Sequence, residues 1–575
     1  MRYRDLLCTL LLSAAAAPLS AQHAVERHPL YDAASPTKET KATPATRLSL
    51  QAADSLRIAA EMKVPEAAEN SPLRLKGWRG ERVNTQLLLT ADGEARQLRV
   101  SITPLRAADG TRELTARPAM IRYTKAHGKA VADIIGTETV CDHPAGIPRG
   151  IWVQADIPQD CPAGCYTGTL TVQAVGCAPI SRELVIEVTE DVLPQPREWK
   201  MHVDFWQHPE AVARWHDVPA WSPEHLALMK PLMQRLADAG QKVITCALID
   251  EAWNAQTYDW FPAQIRWIKG RDGQMRYDFS AFDTWVRFMM EEVGITEEIF
   301  CYTMVPWSMR VRYLDESSGT YEELPLKHDD PSYEAIWGHF LTAFRAHLEE
   351  RGWLHKTSIA LDERPDALVK ATKRVLATYA PELRIVSSVD HPSEESKDIY
   401  LVSPVLMHAD SLTPQLVEQR RAKGQKSIFY TCLNPKKPNS FTMSPPDESE
   451  WLGLFAAARH LDGYSRWAYN SWNRNPFETT DFVNWPSGDC FMVYPGNLSS
   501  VRFERLRDGF EDYEKIRILR ERAAATDSLA AQVALEKLEE HLQRVFTIAR
   551  SEGDSHTQDV RETRELIEKT AAATR

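Results

Sequence analysis

Apolar and polar residues alternate with a period of two in several short runs between residues 71 and 193. Thr167-Gly-Thr-Leu-Thr-Val-Gln173 and Glu183-Leu-Val-Ile-Glu-Val188 would place their apolar side chains on one face of an extended chain. Asn84–Thr90, Gln97–Thr103 and Gly150–Asp156 also read as strands, and Ala91-Asp-Gly93 and Pro162-Ala-Gly164 supply turns. This pattern predicts an antiparallel β-sandwich over 71–193. After Pro194-Gln-Pro196 the rhythm changes. Short β-prone runs follow at 199–206, 242–249, 298–305, 357–362, 383–389, 400–406, 426–432 and 464–470. Most are separated by amphipathic stretches of helical period, among them Glu224–Ala239, Phe282–Val293 and Tyr333–Arg351. Eight such alternations predict a (β/α)8 TIM barrel over 197–500. From 501 to 575 the pattern is helical, with Leu535, Leu538, Leu542 and Phe546 in one stripe. We expect this region to pack on the barrel, with the last 25 residues loose. Residues 22–70 are polar and rich in Ala, Pro and Thr, and predict a flexible lead-in with one short helix near 51–62.

Composition narrows the function classes. Of 575 residues, 43% are hydrophobic and 26% charged, enough for large cores and against wholesale disorder. A formal charge of -12 without a sustained Lys/Arg block argues against nucleic acid as a partner. Arg2 and Arg4 precede an apolar run from Leu6 to Ala17, and Leu19-Ser-Ala21 has the form of a cleavage site. Residues 1–21 therefore read as a signal peptide, and the protein as exported, periplasmic or secreted, and not membrane-spanning. In that setting Cys141, Cys161, Cys165 and Cys177 could form disulfides, whereas Cys246, Cys301 and Cys432, in predicted barrel strands, read as buried thiols. The cysteine spacings match no usual zinc site, and no Gly-x-Ser-x-Gly, His-Glu-x-x-His or phosphate-binding loop is present. We expect neither metal nor organic cofactor in catalysis.

Residues just past the C-terminal ends of barrel strands line the active site of such a fold. Acids, aromatics and amides recur there: Asp204-Phe-Trp-Gln-His208, Asp250-Glu-Ala-Trp-Asn254, Tyr302 to Trp307, Asp362-Glu363, Asp390-His391, Tyr430 to Asn434 and Tyr469-Asn-Ser-Trp-Asn473. The Asp-Glu dipeptide is itself weak, occurring four times, about as often as composition gives. The pairs at 315–316 and 447–448 read as solvated loop residues, while 250–251 and 362–363 both end β-runs. Adjacent strand residues face opposite ways, so both acids can enter one pocket only where the strand stops, as Pro365 makes it do after Asp362-Glu363. Crowding two carboxylates raises the pKa of one, which suits a general acid.

The chain resembles glycoside hydrolase family 123 in Gly77-Trp-Arg-Gly-Glu-Arg-Val-Asn84, in Pro162 to Val172, in Gly488-Asp-Cys-Phe-Met-Val-Tyr-Pro-Gly496 and in Leu506-Arg-Asp-Gly-Phe-Glu-Asp-Tyr-Glu514. Cys490 departs from the pattern, where a small residue is expected. The resemblance implies an exo-acting, retaining β-N-acetylgalactosaminidase that uses the substrate's own acetamido group as nucleophile, acting on glycans with a terminal β-linked N-acetylhexosamine. It implies that Glu363 is the general acid and then base, and that Asp362 holds the acetamido N–H. Tyr302, Tyr430 and Tyr469 are candidates to orient the acetamido carbonyl, and Trp307, Trp467, Trp472 and Trp485 to stack on sugar. His391, Asn434 and Asn470 are candidates to bond hydroxyls. The alternatives are a conventional glycosidase with Glu251 or Asp390 as nucleophile, and a non-catalytic glycan-binding protein.

Overall fold

Strands with buried alternate residues build the N-terminal third. The structure, a computed structural model, describes residues 46–65, 71–553 and 555–575. The predicted signal peptide and much of the lead-in lie outside them. One sheet orders Leu48–Ala52, Arg82–Ala91, Arg149–Asp156, Arg117–Ala126 and Lys129–Ile135, and ends on Ser499–Ser500 from far along the chain. The other orders Leu73–Arg79, Ile180–Val192, Gly164–Gln173, Ala95–Ile102 and Val140–His143. Leu87, Leu89, Leu98, Val153, Leu170 and Ile186 are buried between them. Leu73–Arg79 runs parallel to Ile180–Val192, the exception in an otherwise antiparallel sandwich. Residues 51–62 form no helix. Instead Leu48–Ala52 pairs with Arg82–Ala91, because Leu50 is buried in the sandwich core and Gln86 donates to the carbonyls of Ala53 and Leu56.

Eight parallel strands follow: β1 (His202–Phe205), β2 (Val243–Ala247), β3 (Glu298–Tyr302), β4 (Thr357–Asp362), β5 (Arg384–Val389), β6 (Leu401–Pro404), β7 (Lys426–Tyr430) and β8 (Gly463–Arg466). Seven fall within runs read from the sequence, and β8 begins one residue before its run, at Gly463. Their pairing runs from β2 through β8 to β1. The ring closes between β1 and β2 by one Val203–Gln241 bridge, reinforced by side-chain amides. Gln241 accepts from the Phe205 N–H, and Gln207 from the Thr245 N–H. The loops after β2 and β3 carry strands that the periodicity did not suggest. Arg266–Lys269, Met275–Asp278, Arg310–Asp315 and Thr320–Pro325 form a four-stranded sheet on the C-terminal rim.

Helices α1 (Pro446–Ala458), α2 (Val501–Ala524), α3 (Leu529–Val545) and α4 (Thr557–Ala573) close the fold. Gly453 and Gly509 bring α1 and α2 backbone to backbone, since a Cβ on Gly453 would lie 2.3 Å from the Gly509 carbonyl carbon. Leu538, Leu542 and Phe546 are buried, as their stripe predicts. The last residues are not loose: α4 buries Val560, Ile567 and Ala571 against the rest. The Leu506–Glu514 segment joins the domains. Asp508 accepts from Asn84 in the sandwich at 2.7 Å, and Glu514 accepts from the Lys200 and Met201 N–H groups before β1 at 2.6 Å each. Lys515 pairs with Glu81 at 2.6 Å. These contacts give the two family-like segments Gly77–Asn84 and Leu506–Glu514 a structural reason to occur together.

Among the described residues all eight cysteines are unpaired, and Cys141, Cys161, Cys246, Cys301 and Cys490 are buried. The Asp447–Glu448 pair is not in a solvated loop. It is buried at the start of α1, where Glu448 accepts from the Asn439 N–H and Asp447 from the His556 N–H.

Candidate active site

The C-terminal mouth of the barrel gathers one acid pair and an arc of aromatic rings. Asp362 is the last residue of β4, and Glu363 follows with φ +51°, a left-handed turn that carries the chain out of the sheet. The helix Asp366–Tyr379 begins directly after Pro365. The turn sends the two side chains into one mouth with different neighbours. Asp362 is half-buried, and its Oδ2 accepts from the Trp307 indole N–H at 2.8 Å. Glu363 is exposed, and its Oε1 accepts from the Tyr430 hydroxyl at the end of β7. Arg364 lies over the Trp307 ring, 4.7 Å from its centre, and braces that loop.

Burial, and then the neighbouring charge of Glu363, push the Asp362 carboxyl up to about 7, against the pull of the Trp307 N–H and the Arg364 charge. The raised group is thus the inner acid of the pair. The tyrosine hydroxyl is displaced well upward by burial and by Glu363, and stays protonated as a donor. A second buried acid, Asp204 at the end of β1, accepts from Ser465 Oγ at 3.3 Å, and burial pushes it up to about 7.

The aromatic arc runs across the ends of β8, β1, β2 and β3. Trp485 packs on Trp467 at 5.6 Å between ring centres, and Trp467 meets His208 edge-on at 6.3 Å. His208 neighbours Trp253 at 6.2 Å, which stacks on Trp206 at 5.5 Å, and both close on Tyr302 at 5.0 and 4.6 Å. Trp467 donates to Asp489 at 3.2 Å, and Asp489 pairs with Arg466 at 2.9 Å, both fully buried. Asp489 belongs to the Gly488–Gly496 segment, so that loop positions a wall of the mouth. Cys490 fits the same loop as a buried residue whose carbonyl accepts from the Ser471 N–H. Trp485 is pinned by its N–H to the Gln256 carbonyl at 3.0 Å.

Of the residues singled out by sequence, Asp362, Glu363, Trp307, Tyr430, Tyr302, Trp467 and Trp485 are brought to this mouth. Three are not. Tyr469 is fully buried and donates to the Leu232 carbonyl on the barrel's helical side. Asn470 is buried and clamps the His208 backbone through both ends of its amide. Trp472 is buried, with its N–H on the Val493 carbonyl. They sit past β8, where the chain has already turned inward. Asn434 is exposed on the loop after β7. His391 is exposed beside Asp390 at 3.1 Å, and with His408 these form the one group among the described residues whose ligand atoms, within 4.8 Å of one another, could hold a cation. Trp206, His208, Trp253 and the Arg466–Asp489 pair were not singled out. The first three lie within strand-end segments that the sequence marks, but residue type alone does not separate them from packing aromatics.

The rival pair Asp250–Glu251 is occupied otherwise. Glu251 accepts from the Phe261 and Ala255 N–H groups at 2.6 and 2.5 Å, and Asp250 from the Ala263 N–H at 2.7 Å. Its carboxylates shape their own loop.

Comparison with known proteins agrees with this architecture. Residues 206–519 match the family model described as the glycoside hydrolase 123 catalytic domain, and residues 56–174 the glycoside hydrolase 123 N-terminal domain. A solved structure of a family 123 glycoside hydrolase from Clostridium perfringens, described in terms of glycolipid glycan hydrolysis, is similar at a TM-score of 0.82 and 22% identity, covering 92% of this chain and all of that one. A putative glycoside hydrolase from Bacteroides vulgatus is similar at 8% identity over 78% of each chain, with a TM-score of 0.32 too low to bear on the argument. No curated protein matches. With the family's catalytic model spanning more than half of the sequence and an acid pair held at the mouth of a β-strand barrel, the chain belongs to glycoside hydrolase family 123.

Proposed function

We propose that the protein is an exported, exo-acting β-N-acetylgalactosaminidase that cleaves terminal β-linked N-acetylgalactosamine with retention, by substrate-assisted catalysis. The observation that carries this reading is the unequal setting of the two adjacent acids. A conventional double displacement needs two carboxylates facing each other across the scissile bond. Glu251 is engaged by its own loop backbone, and Asp390 is exposed and paired with His391. Asp362 and Glu363 then divide the work. The Asp362 carboxylate accepts the acetamido N–H, which makes the acetamido oxygen the nucleophile toward the anomeric carbon. Glu363 gives its proton to the glycosidic oxygen as that bond breaks, and an oxazolinium forms within the sugar. Glu363 then takes a proton from water, the water oxygen adds to the anomeric carbon, and the acetamido group is restored. We assign the tyrosine that orients the acetamido carbonyl to Tyr430, a reading supported by its hydroxyl standing beside Glu363, to which it donates. The choice of galactosamine rests on the family resemblance, and the glycan hydrolysis described for the Clostridium perfringens relative supports a glycolipid-type oligosaccharide as natural substrate.

The test is hydrolysis of the two nitrophenyl N-acetylhexosaminides side by side, with the matching galactoside that carries a 2-hydroxyl in place of the acetamido group. The galactosaminide should turn over, with the glucosaminide slower. The 2-hydroxyl substrate should lose nearly all turnover, because it lacks the nucleophile. Comparable rates on the 2-hydroxyl substrate would overturn substrate assistance and reinstate an enzyme nucleophile.

A further inference from the structure

A second group of exposed rings and unsatisfied polar atoms lies where the loop after β2 meets the four-stranded rim sheet. A cavity of about 250 Å³ opens there, lined by none of the residues around Asp362 and Glu363. Trp260 and Tyr321 stand at its opening, 56% and 48% exposed. Arg312 lies over both rings, 5.7 Å and 4.0 Å from their centres, and is held by Asp250 at 3.4 Å. On the buried side are Gln264 and Trp267, 1% and 2% exposed. Both polar atoms of the Gln264 amide, and the Trp267 indole nitrogen, have no hydrogen-bond partner among the described residues.

This combination is selective. Buried polar atoms without partners are costly, and a group from outside the chain that both donates and accepts would satisfy these. An apolar ligand would leave the Gln264 amide as it is. An anion would meet Arg312 but also the Asp250 carboxylate beside it, and a cation would meet the reverse. A sugar ring answers all of the features. Its C–H face stacks on an exposed indole, and its hydroxyls both donate and accept, as the amide requires. The cavity is below the usual size of small-molecule pockets and of the scale of one ring. Trp260, more than half exposed, contributes little to any core, so packing does not explain its place.

We propose that this cavity is a second carbohydrate site, separate from the acid pair, which takes one pyranose ring of a neutral oligosaccharide with its apolar face on Trp260 and its hydroxyls on Gln264 and Trp267. It requires only that the chain meets glycans, and does not depend on which sugar is cleaved. The ring is either part of the chain being hydrolysed or part of a separate glycan.

The first experiment saturates the acid-pair site of the full-length protein with a thiazoline mimic of the oxazoline. Lactose, diacetylchitobiose and cellobiose are then tested by saturation-transfer NMR at up to about 10 mM, the range of a weak single-ring contact. At least one disaccharide should still bind, and Trp260→Ala should weaken it about tenfold. Gln264→Leu should abolish that binding while raising Tm, because it removes the unpaired amide, which a purely structural glutamine would not do. No binding by any of the three, or binding unchanged in Trp260→Ala, overturns the proposal. The second experiment distinguishes the sources. If the ring belongs to the chain being cleaved, Trp260→Ala raises KM for an oligosaccharide substrate and leaves KM for a nitrophenyl glycoside unchanged. If it belongs to another glycan, neither KM moves while the disaccharide binding is still lost.

Discussion

Two Asp-Glu pairs follow barrel strands, and they share even their backbone turn: Glu251 and Glu363 both have φ +51°. Their fates differ because of the chain behind them. After β2 the backbone runs through residues 248–265 before the rim sheet, long enough to fold back, and the N–H groups of Ala255, Phe261 and Ala263 take up the carboxylates. After β4 the connection is Glu363 to Pro365, and the helix starts at once. No loop backbone is available there, so the partners of Asp362 and Glu363 are side chains from β7 and the loop after β3. An acid at a strand end is left free for chemistry when the connection behind it is too short to consume it.

The sharpest way to break this comparison is to neutralise the same residue in each pair. Glu363→Gln should lower kcat by about 10³-fold or more on a substrate with a poor leaving group, and much less on an activated nitrophenyl glycoside. Glu251→Gln should keep kcat within about twofold, and lower Tm as two backbone N–H groups lose a charged acceptor, a loss of about 1–3 kcal/mol in the loop. If Glu251→Gln instead abolished turnover at unchanged Tm, the pairs would have been assigned the wrong way round.

This contrast also marks how far the sequence could be read. The period-two runs and the eight alternations are produced by burial on one face or on two, which composition at each position records, so the sandwich and barrel were legible. The rim sheet was not. Thr320–Pro325 is almost wholly exposed and Arg310–Asp315 buries only alternate residues, so neither carries the apolar run that marks a barrel strand. The sandwich strand Leu48–Ala52 is not marked because it is a short edge strand, held by pairing rather than by pattern. In the site, the acid pair was marked by the proline that ends its strand. Tyr469, Asn470 and Trp472 have the right residue types in the right place along the chain, but the side to which each side chain turns depends on a loop conformation that pattern does not encode. Asp489 lay within a recognisable segment, yet its role as the anchor of Arg466 and Trp467 arises from contacts across 22 and 23 residues.

Asp362→Asn tests the inner acid in two ways. On the proposed route it should lower kcat by about 10²–10³-fold, since an amide would hold the acetamido N–H more weakly than a carboxylate. It should also alter stability with a defined sign. The folded state raises the Asp362 carboxyl from 3.8 to about 7, so it holds a proton that the unfolded chain releases. That contribution to stability is complete below pH 4 and is lost as pH rises through about 7. Asparagine has no such loss, so the variant should gain on the wild type by about 2 kcal/mol between pH 4 and pH 8, roughly half of what the whole displacement would supply, the rest being screened at a half-buried site. Thermal unfolding at the two pH values reads it. A pH-independent difference would show that Asp362 is not held protonated.

Tyr430→Phe removes one donor from Glu363 and nothing from Asp362. A fall in kcat of about 10–100-fold is expected, with the stability profile across pH unchanged. The smallest effect should come from Trp307→Phe, and it isolates the tuning of Asp362 from its chemistry. The indole N–H bonds the carboxylate and so favours the charged form. Its loss should carry the Asp362 carboxyl higher, and with it the acidic limb of kcat/KM, by about half to one pH unit. The limb reflects both members of the pair, because the charge of Glu363 is one cause of the Asp362 displacement. Above the limb the variant should keep kcat within several-fold of the wild type. On the proposed substrate-assisted route the limb in kcat alone should lie lower than in kcat/KM for both proteins, since a bound acetamido N–H and a positive oxazolinium would each favour the Asp362 carboxylate. A Trp307→Phe limb that moved to lower pH, or that failed to move while kcat/KM fell uniformly, would mean that the ring acts on the sugar and not on the acid.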